Sequence, residues 1–203
     1  THNRVEDRYI TSLLYVTGRQ MRLEQEVVFG RGAVAVLQAL GIDPDLWHMN
    51  EGHSAFLGLE NLRRKGSGSL EQRLAAHRSQ HVFTTHTPVP AGNEVFERDA
   101  VTPFLEGTAS DIGCSTDDLL ALGSKDGADA GFNLTALALR LSERTNGVSQ
   151  LHGEVSQEMW PGYQIGAITN GVHVGTWLGR ELSSVLMIKG GDDPAEAAKR
   201  AGS

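Results

Sequence analysis

Apolar positions recur at helical spacing over residues 5–29, where Ile10, Leu13 and Leu14, then Met21, Leu23, Val27 and Val28, fall on repeating faces. Gly30 and Gly32 interrupt that pattern and read as a helix crossing or a tight turn. Residues 34–40 predict a further short helix stopped by Gly41, and Pro44 opens the next element. Leu46-Trp47-His48-Met49 reads as a short buried strand, residues 50–54 as a turn, and residues 55–64 as a helix with Phe56, Leu57, Leu59 and Leu62 inward. Gly66-Ser67-Gly68-Ser69 is a polar connection, followed by a helix over 70–78.

The strand-then-helix plan returns at residues 81–85, a β-rich run that leads into His86-Thr87-Pro88-Val89-Pro90-Ala91-Gly92-Asn93. The two prolines exclude a central strand there and predict an extended loop before a helix near 94–105. Residues 106–131, rich in Gly, Ser and Asp, read as surface loop with one short helix at Leu119-Leu120-Ala121-Leu122. An amphipathic helix is expected over 132–144, closed by Asn146-Gly147 as a left-handed cap. A second follows over 148–160, ended by Pro161-Gly162, and residues 163–169 are the third strand candidate. Strands alternating with helices predict an α/β fold with a doubly wound parallel sheet.

Composition narrows the function classes. Across 203 residues, 39% are hydrophobic, so a folded core is expected rather than disorder. The 18 basic and 25 acidic residues leave a net charge of −7, with no basic stripe, which argues against nucleic acid. Cys114 stands alone and suits a reducing, cytoplasmic setting. No apolar run approaches the ~20 residues of a membrane span. The chain opens Thr1-His2-Asn3, without an initiator Met or a targeting pattern, and is expected to be an internal piece of a longer protein.

Three strand candidates end in polar clusters: Asn50-Glu51-Gly52-His53, Thr85-His86-Thr87 and Thr169-Asn170-Gly171. Ligands of open α/β sheets sit outside the carboxyl ends of the strands, so the three clusters are expected to line one cleft. Hydroxyl, amide, imidazole and carboxylate groups suit a sugar better than a phosphate; each cluster alone also reads as a satisfied turn or cap. His48 and His53 flank Glu51 at a spacing that matches neither zinc-helix motif, so no metal site is expected. Gly52-His53-Ser54-Ala55-Phe56 lacks the second glycine of a hydrolase nucleophile elbow, and Ser54 reads as a helix cap. His77 reads as a solvated helix end and Trp160 as core.

Four segments carry a family resemblance. His48-Met49-Asn50-Glu51-Gly52-His53-Ser54-Ala55-Phe56, Phe83-Thr84-Thr85-His86-Thr87-Pro88-Val89-Pro90-Ala91-Gly92, Asn146-Gly147-Val148-Ser149-Gln150-Leu151-His152-Gly153 and Ile168-Thr169-Asn170-Gly171-Val172-His173 closely resemble, in order, α-glucan (glycogen, starch or maltodextrin) phosphorylases of the short bacterial type. The resemblance runs from residue 1 to about 178. It implies part of a Rossmann-like lobe of a GT-B glycosyltransferase, with residues 1–171 as the later part of the N-terminal lobe and 172–203 as the crossover towards the C-terminal lobe.

The activity so implied is phosphorolysis of terminal α-1,4-glucosyl units of a glucan or maltooligosaccharide by inorganic phosphate, giving glucose 1-phosphate, with pyridoxal phosphate as cofactor and a homodimer as the full enzyme. Carried over by motif, His86 is the catalytic residue near the sugar 6-hydroxyl. Asn170, Glu51 and His53 are substrate-binding, with Glu51 and His53 orienting His86, and Trp177 packs close to the cofactor. The family's cofactor lysine, in a Gly-Thr-x-Asn-Met-Lys context, has no counterpart here, and residues beyond about Leu182 depart from the pattern. The chain alone is therefore expected to be inactive. The alternatives are a non-catalytic glucan-binding lobe and a GT-B transferase using another sugar donor.

Overall fold

A computed structural model describes residues 3–14, 16–125 and 131–190, which divide into two compact units meeting at Ile168 and Thr169. The first unit is built on four short parallel strands: β1 (Trp47–Asn50), β2 (His81–Thr84), β5 (Arg144–Gly147) and β6 (Ile165–Ala167), in the spatial order β1-β2-β5-β6. Between β2 and β5 the chain makes a small antiparallel ribbon of β3 (Val95–Phe96) and β4 (Phe132–Asn133). The helices of this unit are α1 (Arg19–Ala39), α2 (Phe56–Lys65), α3 (Leu70–His77), α4 (Arg98–Ile112), α5 (Thr116–Leu122), α6 (Leu134–Leu141) and α7 (Gln150–Met159). The second unit holds α8 (Val174–Trp177) and α9 (Arg180–Gly190). The mixed α/β class with an all-parallel main sheet is the one expected.

Alternation along β1 sends Trp47 and Met49 into the core and leaves His48 and Asn50 exposed. Phe83 of β2, Phe56, Leu59 and Leu62 of α2, and Leu134 and Leu137 of α6 complete the core, with the Phe56 and Phe132 rings 6.4 Å apart. Trp160 is buried as expected. Ser69 and Ser115 open α3 and α5 as reciprocal capping boxes with Gln72 and Asp118.

Several elements differ from the sequence reading. Among the described residues of 5–29, a single 3-10 turn, Glu6–Tyr9, precedes α1, which begins at Arg19 and runs unbroken through Gly30 and Gly32 to Ala39. Gly30 is a crossing point: a Cβ there would lie 2.6 Å from the Leu57 backbone nitrogen of α2. The separate helix expected over 34–40 is the end of α1. The helix expected near 94–105 is shifted, since β3 comes first and α4 extends to Ile112 around Pro103. With α5, it turns most of the expected loop 106–131 into helix; residues 126–130 lie outside the described residues.

The largest difference falls over 132–147. Instead of one helix with an Asn-Gly cap, the chain makes β4, α6 and then β5, an inner strand of the sheet. His77 is buried rather than solvated. Ser54 caps no helix: its hydroxyl donates to the Glu51 carbonyl at 2.7 Å. Of the C-terminal departure, residues 191–203 lie outside the described residues.

Candidate functional site

The carboxyl ends of β1 and β2 meet through one carboxylate. Register pairs Asn50 with Thr84, and the Glu51 amide extends the ladder by donating to the Thr84 carbonyl at 2.9 Å. Glu51 then turns with φ of 69° and ψ of 163°, alone among described non-glycine residues in having positive φ. Such a backbone costs on the order of 1–3 kcal/mol and persists where its surroundings hold it. Its carboxylate supplies the hold. Oε1 accepts from the Gly52 amide at 3.0 Å, and Oε2 accepts from the His86 amide at 2.8 Å and the Thr87 hydroxyl at 2.9 Å. A side chain on Gly52 beside it would be tight, because a Cβ there would lie 3.1 Å from Thr135 Oγ1 at the start of α6.

His86 is exposed, and its ring Nε2 lies 2.8 Å from Asn50 Oδ1. Glu51 was expected, with His53, to orient His86; it grips the backbone of the His86 loop, and Asn50 meets the ring. The sequence reading placed Asn50 in the cluster without giving it a role. A further polar set lies alongside, with His48 Nε2 at 2.8 Å from Thr84 Oγ1 and Thr84 Oγ1 donating to Asn146 Oδ1 at 3.0 Å. Asn146 was hidden by its assignment to a helix cap; its register opposite Thr84 could be read only once β5 was known.

His53 is half-buried against Phe29, ring centroids 5.8 Å apart, and faces a cavity of about 440 Å³ lined with Leu13, Leu14, Arg22 and Glu26. A smaller cavity of about 100 Å³ joins Glu51 and His53 to Thr87, Asn93 and Glu94. Burial, and then the Arg22 charge, hold the His53 imidazole below its ordinary pKa, so the ring favours its neutral form. Arg22 Nε sits 2.8 Å from Glu26 Oε1 and 3.3 Å from Glu94 Oε1. Even so, burial pushes the Glu26 carboxyl up to about 8, with Glu94 adding to the rise.

Glu51, His53 and His86 therefore gather in the first unit. Asn170 and Trp177 belong to the second unit, where both are exposed, Trp177 at 78%. There His173 Nδ1 lies 2.7 Å from Thr176 Oγ1 at the start of α8. Among the described residues, no group of three His, Cys, Asp or Glu side chains is placed to hold a metal ion, and no helix is long and apolar enough to cross a membrane.

Neutral donors and acceptors, fixed in direction and open to solvent, are the equipment of a polyhydroxyl site. Comparison with known proteins gives relatives of one kind. No family model matches the chain. It is 39% identical over 206 residues to a glycogen phosphorylase of Mycobacterium tuberculosis (strain CDC 1551 / Oshkosh), covering 87% of this chain and 24% of that protein. It is 38% identical over 200 residues to a maltodextrin phosphorylase of Thermococcus litoralis, covering 91% and 23%, and 33% identical over 186 residues to a glycogen phosphorylase of Aquifex aeolicus, covering 87% and 27%. The chain thus spans about a quarter of the length of these relatives.

Proposed function

We propose that this chain, a homologue of one segment of the glycogen and maltodextrin phosphorylases, carries the sugar-binding part of an α-glucan phosphorylase. In this reading the complete enzyme uses inorganic phosphate to release terminal α-1,4-glucosyl units as glucose 1-phosphate. Residues 1–171 belong to its N-terminal lobe and 172–203 lead into the crossover. His86 meets the glucosyl unit, with Glu51 holding the His86 loop in place and His53 lining the adjoining wall. Asn170 contributes a further sugar contact, and Trp177 packs towards the cofactor.

The observation that carries the reading is the Glu51 clamp. One carboxylate, carried on a strained backbone, ties the end of β1 to the His86 amide and the Thr87 hydroxyl, where a parallel sheet presents its ligands. An imidazole and carboxamide held by such a frame can direct hydrogen bonds to hydroxyls without reorganising on binding.

The residues gathered here do not fit pyridoxal phosphate. A Schiff base needs a lysine amine; among the described side chains, Lys65 pairs with Asp43 and Lys125 lies over the Trp160 ring at 4.3 Å, and neither lines the cavities beside Glu51. The chain by itself is expected to lack phosphorolytic activity. The second reading is a glucan-binding lobe without catalysis, in which the frame of Glu51, Asn50 and His86 serves sugar binding alone.

Titration of the 203-residue chain with maltoheptaose, followed by amide NMR, tests the proposal. Shifts confined to residues 50–53 and 84–87 and lost in His86→Ala support it. Saturating maltoheptaose without such shifts refutes it. Release of glucose 1-phosphate from maltoheptaose and phosphate separates the two readings: the chain should release none, and a complete enzyme containing it should release it.

A further inference from the structure

We propose that Asn50 is a positioning residue that locks His86 in the tautomer protonated on Nε2, leaving Nδ1 to accept a hydrogen bond from a ligand hydroxyl. The carboxamide oxygen of Asn50, 2.8 Å from His86 Nε2, can only accept. The ring nitrogen facing it therefore carries the proton, and a neutral imidazole then has its lone pair on Nδ1.

Two paired strands hold the partners. Asn50 is the last residue of β1, fixed by its register with Thr84 and by the Glu51 amide bond to the Thr84 carbonyl. His86 lies just beyond β2, with its backbone amide held by Glu51 Oε2. Because Glu51 spends its carboxylate on backbone and hydroxyl donors, the ring is oriented by a neutral group.

The neighbouring histidine obeys the same logic. Thr84 gives its single hydroxyl proton to Asn146 Oδ1, so it must accept from His48 Nε2. Both imidazoles at this sheet edge thus carry their proton on Nε2. The consequence is a ligand preference: a hydroxyl can donate to Nδ1, whereas an anionic oxygen would set lone pair against lone pair. Identifying that hydroxyl as a glucosyl one rests on the proposed function; the tautomer does not.

Long-range proton–nitrogen NMR of the imidazole rings in the 203-residue chain tests the inference, with His86→Ala identifying the His86 signals. The expected pattern is a protonated-type Nε2 and an unprotonated-type Nδ1. Asn50→Ala should move the ring towards a mixture of tautomers, and Asn50→Asp, which keeps an acceptor in place, should restore the Nε2–H form. A protonated Nδ1 in the unsubstituted chain overturns the inference, as does an unchanged tautomer in Asn50→Ala. Maltoheptaose should bind about fivefold more weakly to Asn50→Ala, the loss of roughly one hydrogen bond's worth of alignment. If maltoheptaose does not bind at all, the sugar reading fails, and the tautomer still decides the role of Asn50.

Discussion

Strand β2 has a histidine at each end, and the two could hardly be treated more differently. His81, its first residue, is 1% exposed; Nδ1 lies 2.8 Å from the His77 carbonyl and Nε2 lies 3.1 Å from Asn61 Nδ2. His86, two residues past the other end, stands in solvent on a frame of Asn50 and Glu51. The amino end of the strand is sealed beneath α2 and α3, while the carboxyl end opens where the chain leaves the sheet. Position along one parallel strand therefore separates a histidine that serves the fold from one free to meet a ligand.

Substitutions should sharpen that contrast. His81→Ala should cost about 3 kcal/mol in urea denaturation, through the cavity and the lost Asn61 partner. Glu51→Ala should cost about 2 kcal/mol, because three donors lose their acceptor at once. His86→Ala should stay within about 0.5 kcal/mol of the original stability while abolishing maltoheptaose shifts. An equal stability loss at positions 81 and 86 would erase the distinction.

The pH profile of the melting temperature offers a further test. Burial, first among the causes, keeps His81 and His53 below the ordinary 6.5, so the unfolded chain binds those protons more tightly and stability falls as pH drops through about 6.5. Glu26 has the opposite sign. Its folded value of about 8 exceeds the ordinary 4.5, so its contribution is fully present below 4.5 and is lost as pH rises towards 8. Glu26→Gln should remove the destabilising slope between pH 4.5 and 8; an unchanged slope there would count against a buried, proton-holding Glu26.

Much of the first unit was legible because β1, β2 and α2 follow ordinary rules: buried residues alternate on β1, and apolar residues line α2. Strand β5 was not, because Arg144-Thr145-Asn146-Gly147 has no apolar run and ends in a turn-like dipeptide. Its place comes from backbone pairing on both sides, to β2 and β6, which no local pattern encodes. For the same reason Asn146 was read as a cap. In α1, two glycines looked like interruptions, yet one of them permits the close approach of α2. At the site, His86 and Glu51 were legible as a pair, but the atoms joining them were not. The resemblance implied that the acid orients the imidazole; geometry joins acid to amide and leaves the ring to Asn50.

The left-handed backbone at Glu51 has one more consequence, for how substitutions there should rank. At most positions glycine is the more damaging replacement, since it loosens the unfolded chain. At φ of 69° and ψ of 163° alanine keeps the steric penalty while losing the carboxylate, whereas glycine loses the carboxylate but escapes the penalty. In a saturation library scored for thermal tolerance, position 51 should therefore order as Glu, then Gly, then Ala, an inversion that marks a side chain retained against its own backbone.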